Sequence, residues 1–568
     1  MFFQHFNIAY RQFVDLPAVT PQWWVRFGQP ITFNNDMTWQ DDLCTAYEIE
    51  PKVSLDRRFC VIGESPSLVE SQHEKSDRLS KLLNRYGDIP QAIAQLQGTF
   101  ALVVWDRENR ELWLARDPVG ERTLYYTFIG STLWVAPRLK TLAPFHPREL
   151  DLVALRDYLC CAFVPGEQTL WRNVREVRPG TIHRWSEGKN SPEIQVYWQL
   201  EEKTGDRDRS LEWYAQQLRS LLDRVVQESL PKGEPVGAYL SGGLDSSSIT
   251  ALACQFHDRP VHTYSIHFGA DYPNELEFAN LVAEYCGTQH HILEIKPREV
   301  WKNLPVTLAH LDDPIGDPLT VPNYLLGQAA KQEVGVILNG EGGDPCFGGP
   351  KNKPMLLYEL YDNLNAHSRD RLTAYLDSFK KCFPHLSQLL KPEIWQAVKD
   401  TPYVFATDLD SQNQYLNRLM LLNIKFKGAD HILTKVNNLT RAAGIEGRSP
   451  LFDRRIVELS LQIPPEYKLS EANEKAVLKA AVTDILPDSI IYRPKSGMRV
   501  PVRWWFSRYW QRRTKALLLN KNAAIAPYVN QQLIREFFNP QSPCYRRFGI
   551  KLWLLVSLEI WLQTYRSL

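Results

Sequence analysis

The run Ser-Gly-Gly-Leu-Asp-Ser-Ser at Ser241–Ser247 limits the possible folds of this chain more than any other segment. It follows the short apolar run Val236–Leu240 and precedes the helix-like stretch Ser247–Phe256. Glycine lets the backbone approach a ligand closely, and the first turn of a helix offers unpaired N–H groups to an anion. Asp245 beside a phosphate implies a cation between them, and Mg²⁺ binds carboxylates together with phosphate oxygens. The segment therefore predicts a phosphate-binding turn with a metal ion at the end of a strand.

This turn is not the phosphate-binding loop GxxxxGK[ST], because no lysine closes it. It resembles the pyrophosphate loop of enzymes that split ATP into AMP and pyrophosphate. A glycine-serine turn without a ligand is the alternative interpretation of the same residues. The apolar run before the turn and the helical run after it favour the ligand-binding interpretation.

From about residue 210, strand-like and helix-like runs alternate along the chain. Helical runs cover 211–230, 247–256 and 275–286, and strand-like runs cover 236–240, 261–268, 290–295 and 334–339. This alternation predicts a parallel sheet with helices on both faces, and such sheets bind ligands at the carboxyl ends of their strands. Ser241 and Gly340 both follow strand-like runs, so we expect them to meet in one cleft. Beyond about residue 350 the chain is predicted to be mainly helical.

The first 200 residues have the pattern of an antiparallel meander. Apolar runs at 99–105, 112–116 and 123–128 are separated by two polar turns, at 106–109 and 117–120. The charged stretch Glu201–Arg209 has little to bury and is predicted to link two domains. Because 568 residues are too many for one core, we predict domains at residues 1–200 and 210–568.

The composition argues against several classes of protein. Lys and Arg total 66 against 65 Asp and Glu, so the whole chain has no net attraction for nucleic acid or an anionic membrane. The nine cysteines include no CxxC pair, which argues against a zinc site or a disulfide framework and favours a cytoplasmic location. The apolar stretch Leu552–Leu562 is too short to span a bilayer and contains Glu559, so it predicts a buried amphipathic helix.

Three further segments place charged residues among glycines and prolines: Asn339–Gly349, Gly444–Asp453 and Tyr492–Pro501. Taken singly, the charges of the second are also consistent with a structural salt-bridge network, and Lys495 in the third with a surface lysine. Together with Ser241–Ser247, and in this order, they resemble the synthetase domain of glutamine-dependent asparagine synthetases. That superfamily includes β-lactam synthetases and lasso-peptide cyclases. Similar landmarks of the family in the first domain are Gly98–Leu102, Ala115–Gly120, Thr123–Tyr126 and Thr169–Gly180.

The resemblance covers nearly the whole chain and implies an α/β fold. An N-terminal Ntn-hydrolase-like α+β domain of the glutaminase type would be followed by an ATP-pyrophosphatase domain. The latter is an adenine nucleotide α-hydrolase-like parallel sheet with C-terminal helices. The implied chemistry is attack of a substrate carboxylate on the α-phosphate of ATP, giving an acyl-adenylate and pyrophosphate. An amine then attacks the acyl carbon, and AMP leaves.

The resemblance also implies roles for individual residues. The pyrophosphate site would consist of Ser241, Gly242, Gly243, Asp245, Ser246 and Ser247. The backbone around Leu240, Ile266, Asn339 and Gly340 would line the nucleoside. Asp245 and Asp344 would share Mg²⁺. Glu341 matches the family carboxylate that acts on the adenylate and as a base toward the amine, and Lys495 matches the lysine placed against the phosphate.

The first domain departs from the family at its own reaction centre. In the family, a cysteine that becomes N-terminal hydrolyses glutamine, with its α-amine helping to activate the thiol. Phe2 stands at that position here, and the first cysteine of the chain is Cys44. The family segment Asn-Gly-Glu is Ile62–Glu64 here, and the resemblance makes Asp77 a candidate remnant of the glutamine α-amine site. We therefore predict a first domain without glutaminase activity that persists as a scaffold.

The synthetase domain departs from the family near the acceptor pocket. Asp344 is followed by Pro345, where the family often has glutamate, and Asp313 stands where glutamate is common. Both changes are predicted to alter the acceptor pocket and to leave the pyrophosphate loop intact.

Three functions stay open at the level of sequence. One is an asparagine-type synthetase that joins aspartate and ammonia, and another is a cyclase whose amine belongs to its own small-molecule or peptide substrate. The third is an inactive homologue that binds ATP. The aromatic stretch Arg503–Trp510 would either hold a peptide or pack its tryptophans inward as an amphipathic helix. No nucleic acid or membrane partner is expected, and a homodimer is consistent with the family.

Overall fold

The computed structural model of the protein describes residues 23–28, 38–41, 43–47, 52–53, 58–64, 79, 81–203, 209–349, 352, 355–356, 371–470, 473–494 and 498–566. These residues form two compact units. The first contains the described residues up to Leu155, then Val164–Leu200 and the residues from Tyr565 onward. The second contains Arg156–Phe163 and Glu201–Thr564.

The first unit is built on two six-stranded antiparallel sheets. Its strands are β1 (Trp24–Phe27), β2 (Thr38–Asp41), β3 (Cys44–Tyr47), β4 (Lys52–Val53), β5 (Phe59–Glu64), β6 (Ala101–Asp106), β7 (Glu111–Arg116), β8 (Tyr125–Ile129), β9 (Thr132–Ala136), β10 (Val174–Glu176), β11 (Thr181–Ser186) and β12 (Glu193–Val196). One sheet has the order β10-β8-β9-β1-β3-β2, and the other has the order β12-β11-β7-β6-β5-β4. The predicted antiparallel character is confirmed, but the predicted meander of β6, β7 and β8 is wrong, because β6 pairs with β7 in one sheet whereas β8 pairs with β9 in the other.

Alternating side chains divide the core of this unit into two layers. Cys60 and Ile62 of β5 pack with residues of both sheets, whereas Phe59 and Val61 pack against the helical segment around Ile89–Ala94. This alternation has the period of two that a strand imposes, because successive side chains point to opposite faces. Helices α1 (Ile89–Ala94) and α2 (Leu139–Leu142) belong to this unit, and α3 (Leu152–Cys161) contains the boundary between the units.

The second unit contains a five-stranded sheet in the order β15-β14-β13-β16-β17, and every neighbouring pair is parallel. Its strands are β13 (Val236–Tyr239), β14 (His262–His267), β15 (Gln289–Glu294), β16 (Val336–Leu338) and β17 (Glu446–Arg448). The connecting helices are α4 (Leu211–Ser229), α5 (Leu244–Phe256), α6 (Leu276–Cys286), α7 (Pro297–Ala309) and α8 (Thr320–Ala330). The predicted α/β fold, with an antiparallel first unit and a parallel-sheet second unit, is confirmed.

The order of the strands reverses at β13. The chain moves from β13 to β14 and β15 in one direction and returns to place β16 on the other side of β13. Right-handed crossovers in opposite directions put their helices on opposite faces of the sheet and leave a crevice at the reversal. The carboxyl ends of β13 and β16 lie at this crevice, and the glycine-rich segments predicted to bind ATP follow them directly.

The remainder of the second unit is mainly helical, as predicted. After α9 (Gly343–Phe347) come α10 (Arg371–Ser378), α11 (Leu386–Leu389), α12 (Pro392–Val398), α13 (Ala406–Leu409), α14 (Tyr415–Leu422), α15 (Thr434–Ala443), α16 (Arg454–Ser460), α17 (Ala476–Ala481), α18 (Asp488–Ile491), α19 (Val502–Trp505), α20 (Gln511–Leu518), α21 (Gln531–Glu536) and α22 (Phe548–Arg566). The described residues also include two π-helical segments, Asn423–Leu433 and Phe506–Trp510, and the hairpin β18 (Leu469–Ser470) and β19 (Asn473–Glu474). Short 3₁₀ segments lie at Phe383–His385, Pro450–Phe452, Pro465–Tyr467 and Pro543–Tyr545.

Helix α22 is buried over most of its length, including Leu552–Leu562. Glu559 is fully buried in it and accepts hydrogen bonds from the backbone N–H groups of Ala524 and Ile525 at 3.0 and 2.9 Å. Among the described residues, no helix combines the length and the apolar character that crossing a membrane requires.

Candidate functional site

A cavity of about 780 Å³ opens in the second unit at the carboxyl ends of β13 and β16. Leu240–Ser246 follows β13 and Asn339–Asp344 follows β16, and both segments line the cavity. This volume lies in the upper part of the range usual for ligand pockets, about 300–1,000 Å³. The two segments that the sequence placed after separate strands therefore do meet at one cavity.

The first loop is held by its own serines. The Ser246 hydroxyl lies 3.0 Å from the Ser241 hydroxyl and accepts a hydrogen bond from the Ser241 N–H at 3.2 Å. Gly242 has a left-handed φ of +70°, and Gly243 is the N-cap of the 13-residue helix α5. The loop thus ends at a helix N-terminus, where unpaired N–H groups and the helix dipole favour an anion.

The second loop is held by the segment that forms β17. The side-chain amide of buried Asn339 donates to the Arg448 carbonyl and to the Ser449 hydroxyl, both at 2.9 Å. Its side-chain oxygen accepts from the Glu341 N–H at 3.0 Å. The segment Gly444–Asp453 therefore supports the site through the Arg448 carbonyl and the Ser449 hydroxyl. Its charges do not form one network, because Glu446 pairs with Arg448 while Asp453 pairs with Arg455.

The two loops contact each other without room for a side chain between them. A Cβ added to Gly340 would lie 2.5 Å from the Ser246 nitrogen, and a Cβ added to Gly343 would lie 2.2 Å from the Asp245 carboxyl carbon. Both distances are far inside van der Waals contact. Glycine is therefore required at these two positions by the close packing of the second loop on the first.

Lys475 joins the acidic residues of the two loops. Its ammonium lies 2.6 and 2.7 Å from the Asp245 carboxylate oxygens and 2.6 Å from Asp344 Oδ1. Burial lowers the pKa of Lys475, but the two carboxylates outweigh burial and raise this pKa above its ordinary value. Lys475 has a left-handed backbone, φ +56°, immediately before α17. Asp245 and Asp344 thus converge on one positively charged atom.

A second charged group lines the cavity where the π-helical segment passes it. Asp317 Oδ2 lies 2.7 Å from the Lys435 ammonium and 3.6 Å from His431 Nε2. Burial would raise the pKa of Asp317, but Lys435 and His431 outweigh it and hold this pKa well below its usual range. Burial, above all, lowers the pKa of His431 to about 4, so this imidazole is neutral at physiological pH. Burial lowers the pKa of Lys435, but Asp317 and, after it, Glu341 outweigh burial and raise this pKa above its ordinary value.

Arg493 completes the wall of the cavity on the side of α6. It pairs with Glu275, which also lines the cavity, and its guanidinium lies 4.0 Å from the centre of the Phe278 ring. Tyr492, Pro494 and Met498 continue this wall.

Most of the predicted site residues line the cavity: Leu240, Ser241, Gly243, Asp245, Ser246, Ile266, Asn339, Gly340, Glu341 and Asp344. Gly242 and Ser247 are not in its lining. Ser247 is fully buried, and its hydroxyl has no hydrogen-bond partner among the described residues. Lys495 lies outside the described residues, as do Phe2 and Asp77. The roles of all these residues stay predictions.

Sequence reasoning gave no site role to Lys475, Asp317, Lys435 or His431. Lys475 stands in no recognisable motif, and only the tertiary fold brings it to Asp245. The spacing of four between His431 and Lys435 is a weak signal, because residues four apart share a helix face. Of the two departures noted near the acceptor pocket, Pro345 lines the cavity, whereas Asp313 does not.

Comparison with known proteins finds family matches over both parts of the chain. The family model described as asparagine synthase matches residues 217–563, and the glutamine amidotransferase domain model matches residues 71–198. The first match extends over more than half of the chain.

The individual relatives differ in name, and they include an asparagine synthetase and an amidase. Asparagine synthetase [glutamine-hydrolyzing] 1 of Bacillus subtilis (strain 168) is 27% identical over 94% of this chain and 87% of its own length. Amidase chyE of Penicillium rubens is 25% identical over 79% of this chain and 77% of its own length. Among solved structures, the NH3-dependent NAD synthetase of Campylobacter jejuni matches 34% of this chain and 93% of its own, with 15% identity and a TM-score of 0.19. A similarity that low has no bearing on function.

Proposed function

Because this chain belongs to the asparagine synthase family, whose members are ATP-using C–N ligases, we propose that it activates a substrate carboxylate as an acyl-adenylate and transfers the acyl group to an amine. The products besides the amide would be AMP and pyrophosphate. The observation that carries the proposal is the convergence of Asp245 and Asp344 beside the Ser241–Ser247 turn in one cavity.

The same two carboxylates fit a divalent cation. They already approach a single positive atom within 2.7 Å, and their oxygens are the ligands that Mg²⁺ prefers. Bound there, Mg²⁺ would spread the negative charge that develops on the phosphate oxygens. Lys475 sets one positive charge against these two carboxylates in the chain as it stands, and it keeps them oriented toward the same point.

The residues of the chain have separate tasks in the proposed reaction. The N–H groups at the start of α5 and the Ser241 and Ser246 hydroxyls would bind pyrophosphate, and Leu240, Ile266 and Asn339 would line the nucleoside. Glu341 would accept the proton of the attacking amine, which is supported by its place in the cavity near buried Lys435. Lys495 is proposed to stabilise the phosphate in both steps by its match to the family.

The source of the amine is proposed to be free ammonia or the substrate itself, and not glutamine. The first unit contains two cysteines, Cys44 and Cys60, and both are fully buried. Burial raises the pKa of Cys60 to about 11 and that of Cys44 well above its ordinary value. A protonated, buried thiol is a poor nucleophile. These thiols therefore support a first unit that releases no ammonia from glutamine.

A pyrophosphate-release assay on the purified protein with ATP and Mg²⁺ tests the proposal. We expect release with aspartate and ammonia but not with aspartate and glutamine. Asp245→Ala should lower the rate by about a hundredfold or more, as expected when a group that helps to stabilise the charge developing on the phosphate is removed. The matched control Asp258→Ala, an exposed carboxylate two residues beyond the end of α5, should leave the rate unchanged.

Two other outcomes have definite meanings. If no mixture releases pyrophosphate although ATP binds calorimetrically, aspartate is not the substrate, and carboxylates that carry their own amine are tested next. Failure to bind ATP with Mg²⁺, or release that is unchanged in Asp245→Ala, would contradict the proposed site. A homodimer remains part of the proposal and is read from sedimentation of the same preparation.

A further inference from the structure

The segment after the cavity wall has an unusual distribution of charge. Residues 489–535 contain ten lysines and arginines and no aspartate or glutamate, in a chain whose net charge is only +1. This stretch includes α19, the π-helical turn Phe506–Trp510 and α20, which together run from Val502 to Leu518. Five of the ten basic residues lie on this helical segment, which contains no acidic residue.

The aromatic residues of this segment divide between two faces. Trp505, Phe506 and Trp510 are buried, and the Trp510 indole donates to the Pro297 carbonyl. Trp504 and Tyr509 are 51% and 56% exposed. The inward packing of tryptophans predicted from sequence is thus present for three aromatic rings, and two large aromatic side chains are left at the surface.

The outward side forms a basic face, defined by Arg503, Trp504, Arg508, Tyr509, Arg512 and Arg513, all of which are exposed. Within the described part of the chain, no carboxylate forms an ion pair with any of its four arginines. The guanidinium of Arg508 lies 4.8 Å from the centre of the Trp504 ring. Because no carboxylate of the described residues offsets the charge of these exposed arginines, that charge is available to bind a partner molecule.

The composition of the basic face fits a protein partner. Trp, Tyr and Arg are the residues most enriched at the centres of protein interfaces, whereas Lys is depleted there. Arginine also binds carboxylates in bidentate fashion, which a lysine cannot do. A helix that binds flat to a membrane carries a broad apolar face outward, but here the apolar face is buried and the outward side has only two aromatic rings.

We infer that the basic face docks an acidic segment of a partner polypeptide. Arg503 and Arg513 are ten residues apart, which corresponds to about 15 Å along a helix. An extended peptide advances about 3.3 Å per residue, so about five residues span this distance. Met498, which lines the cavity, precedes Val502 by four residues. The basic face therefore begins close in sequence to the cavity wall.

Fluorescence anisotropy with the full chain tests this inference. The probe is a labelled six-residue peptide of four glutamates, one leucine and one phenylalanine, and the comparison peptide replaces each glutamate with glutamine. We expect the acidic peptide to bind at low salt and the glutamine peptide to bind at least about tenfold more weakly. Added salt should weaken the acidic complex, because exposed charges are screened.

Two double variants locate the binding surface. Arg508→Glu with Arg512→Glu should weaken the acidic peptide by about tenfold or more, since each reversal removes a cation and adds an anion. The matched control, Arg224→Glu with Arg259→Glu, reverses two exposed arginines elsewhere in the second unit and should bind as the unaltered chain does. Circular dichroism confirms that both variants are folded.

The inference is overturned if the acidic peptide does not bind, or if both double variants bind it equally well. It is also overturned if the Arg508 and Arg512 reversals leave the peptide unaffected but abolish binding of single-stranded DNA or of phosphatidylserine vesicles. A dimer that the same reversals dissociate would show that a second copy of the chain occupies the face. The assay needs no ATP, so its result is independent of the proposed enzymatic function.

Discussion

At the scale of single residues, the predicted and missed parts of the site have different physical origins. Asp245, Asp344 and Glu341 stand in glycine-rich turns after apolar strands, and this local pattern is visible in the sequence. Lys475 and Asp317 reach the cavity only through long-range folding. A left-handed backbone at a lysine, as at Lys475, is uncommon and has no local signal.

Lys475 is predicted to compete with Mg²⁺ for Asp245 and Asp344. Lys475→Met leaves two carboxylates side by side in a partly buried site, so we expect the metal-free protein to lose about 3 kcal/mol of stability. Added Mg²⁺ should then raise the melting temperature of the variant more than that of the unaltered chain. Thermal unfolding with and without Mg²⁺ measures both effects.

The matched control is Lys302→Met in α7, where an exposed lysine lies outside the cavity lining. It should change stability by less than about 0.5 kcal/mol. If Mg²⁺ stabilises the Lys475 variant and the unaltered chain equally, the lysine does not compete with the metal ion.

At the scale of elements, the sequence predicted the type and order of strands and helices better than their ends. The strand predicted at 334–339 is only Val336–Leu338, although the Asn339 N–H still donates to the Arg448 carbonyl of β17 at 3.0 Å. Helix α5 begins at Leu244, earlier than the predicted Ser247, because Gly243 serves as its N-cap. The π-helical segment Asn423–Leu433 was not anticipated, since hydrophobic periodicity does not separate it from an α-helix.

Helix α22 provides a test at this scale. The Glu559 carboxylate accepts two backbone hydrogen bonds from Ala524 and Ile525 inside the protein. Glu559→Ala leaves both N–H groups buried without partners, so we expect a loss of about 2–4 kcal/mol in the free energy of unfolding. Urea denaturation measures this loss.

An exposed acid in a helix, Glu393, is the comparison for Glu559. Glu393→Ala should cost no more than about 0.5 kcal/mol. Equal denaturation midpoints for the two variants would mean that the buried carboxylate contributes no net stability.

At the scale of the whole molecule, the alternation of strands and helices was enough to predict a parallel sheet and its ligand-binding edge. The sequence could not predict that Arg156–Phe163 groups with the second unit, since α3 shows no change of composition within it. Nor could it predict which lysines are buried, because burial depends on packing between segments distant in sequence.

Buried Lys468 makes the stability of the molecule depend on pH. Its ammonium donates to Asn417 and the Ser460 carbonyl, and burial lowers its pKa to about 7 from about 10.5. Between these pH values the unfolded chain holds a proton that the folded chain has released, so this residue makes stability rise with pH. The slope contributed is at most about 1.4 kcal/mol per pH unit.

Urea denaturation from pH 7 to pH 10 checks this contribution. Lys468→Met should show a flatter dependence of the unfolding free energy on pH than the unaltered chain, apart from any constant offset. Parallel curves for the two proteins would show that Lys468 keeps its ordinary pKa in the fold.

The contact of Gly340 and Gly343 with Asp245 and Ser246 has a consequence for engineering the protein. The two loops are about one hundred residues apart in the chain, but they share a surface with no room for even one methyl group. A library that randomises one loop and keeps the other will consist mostly of misfolded members. Replacing a nucleotide loop with that of a homologue will succeed only when both segments are replaced together, because the conformation of each loop depends on its contact with the other.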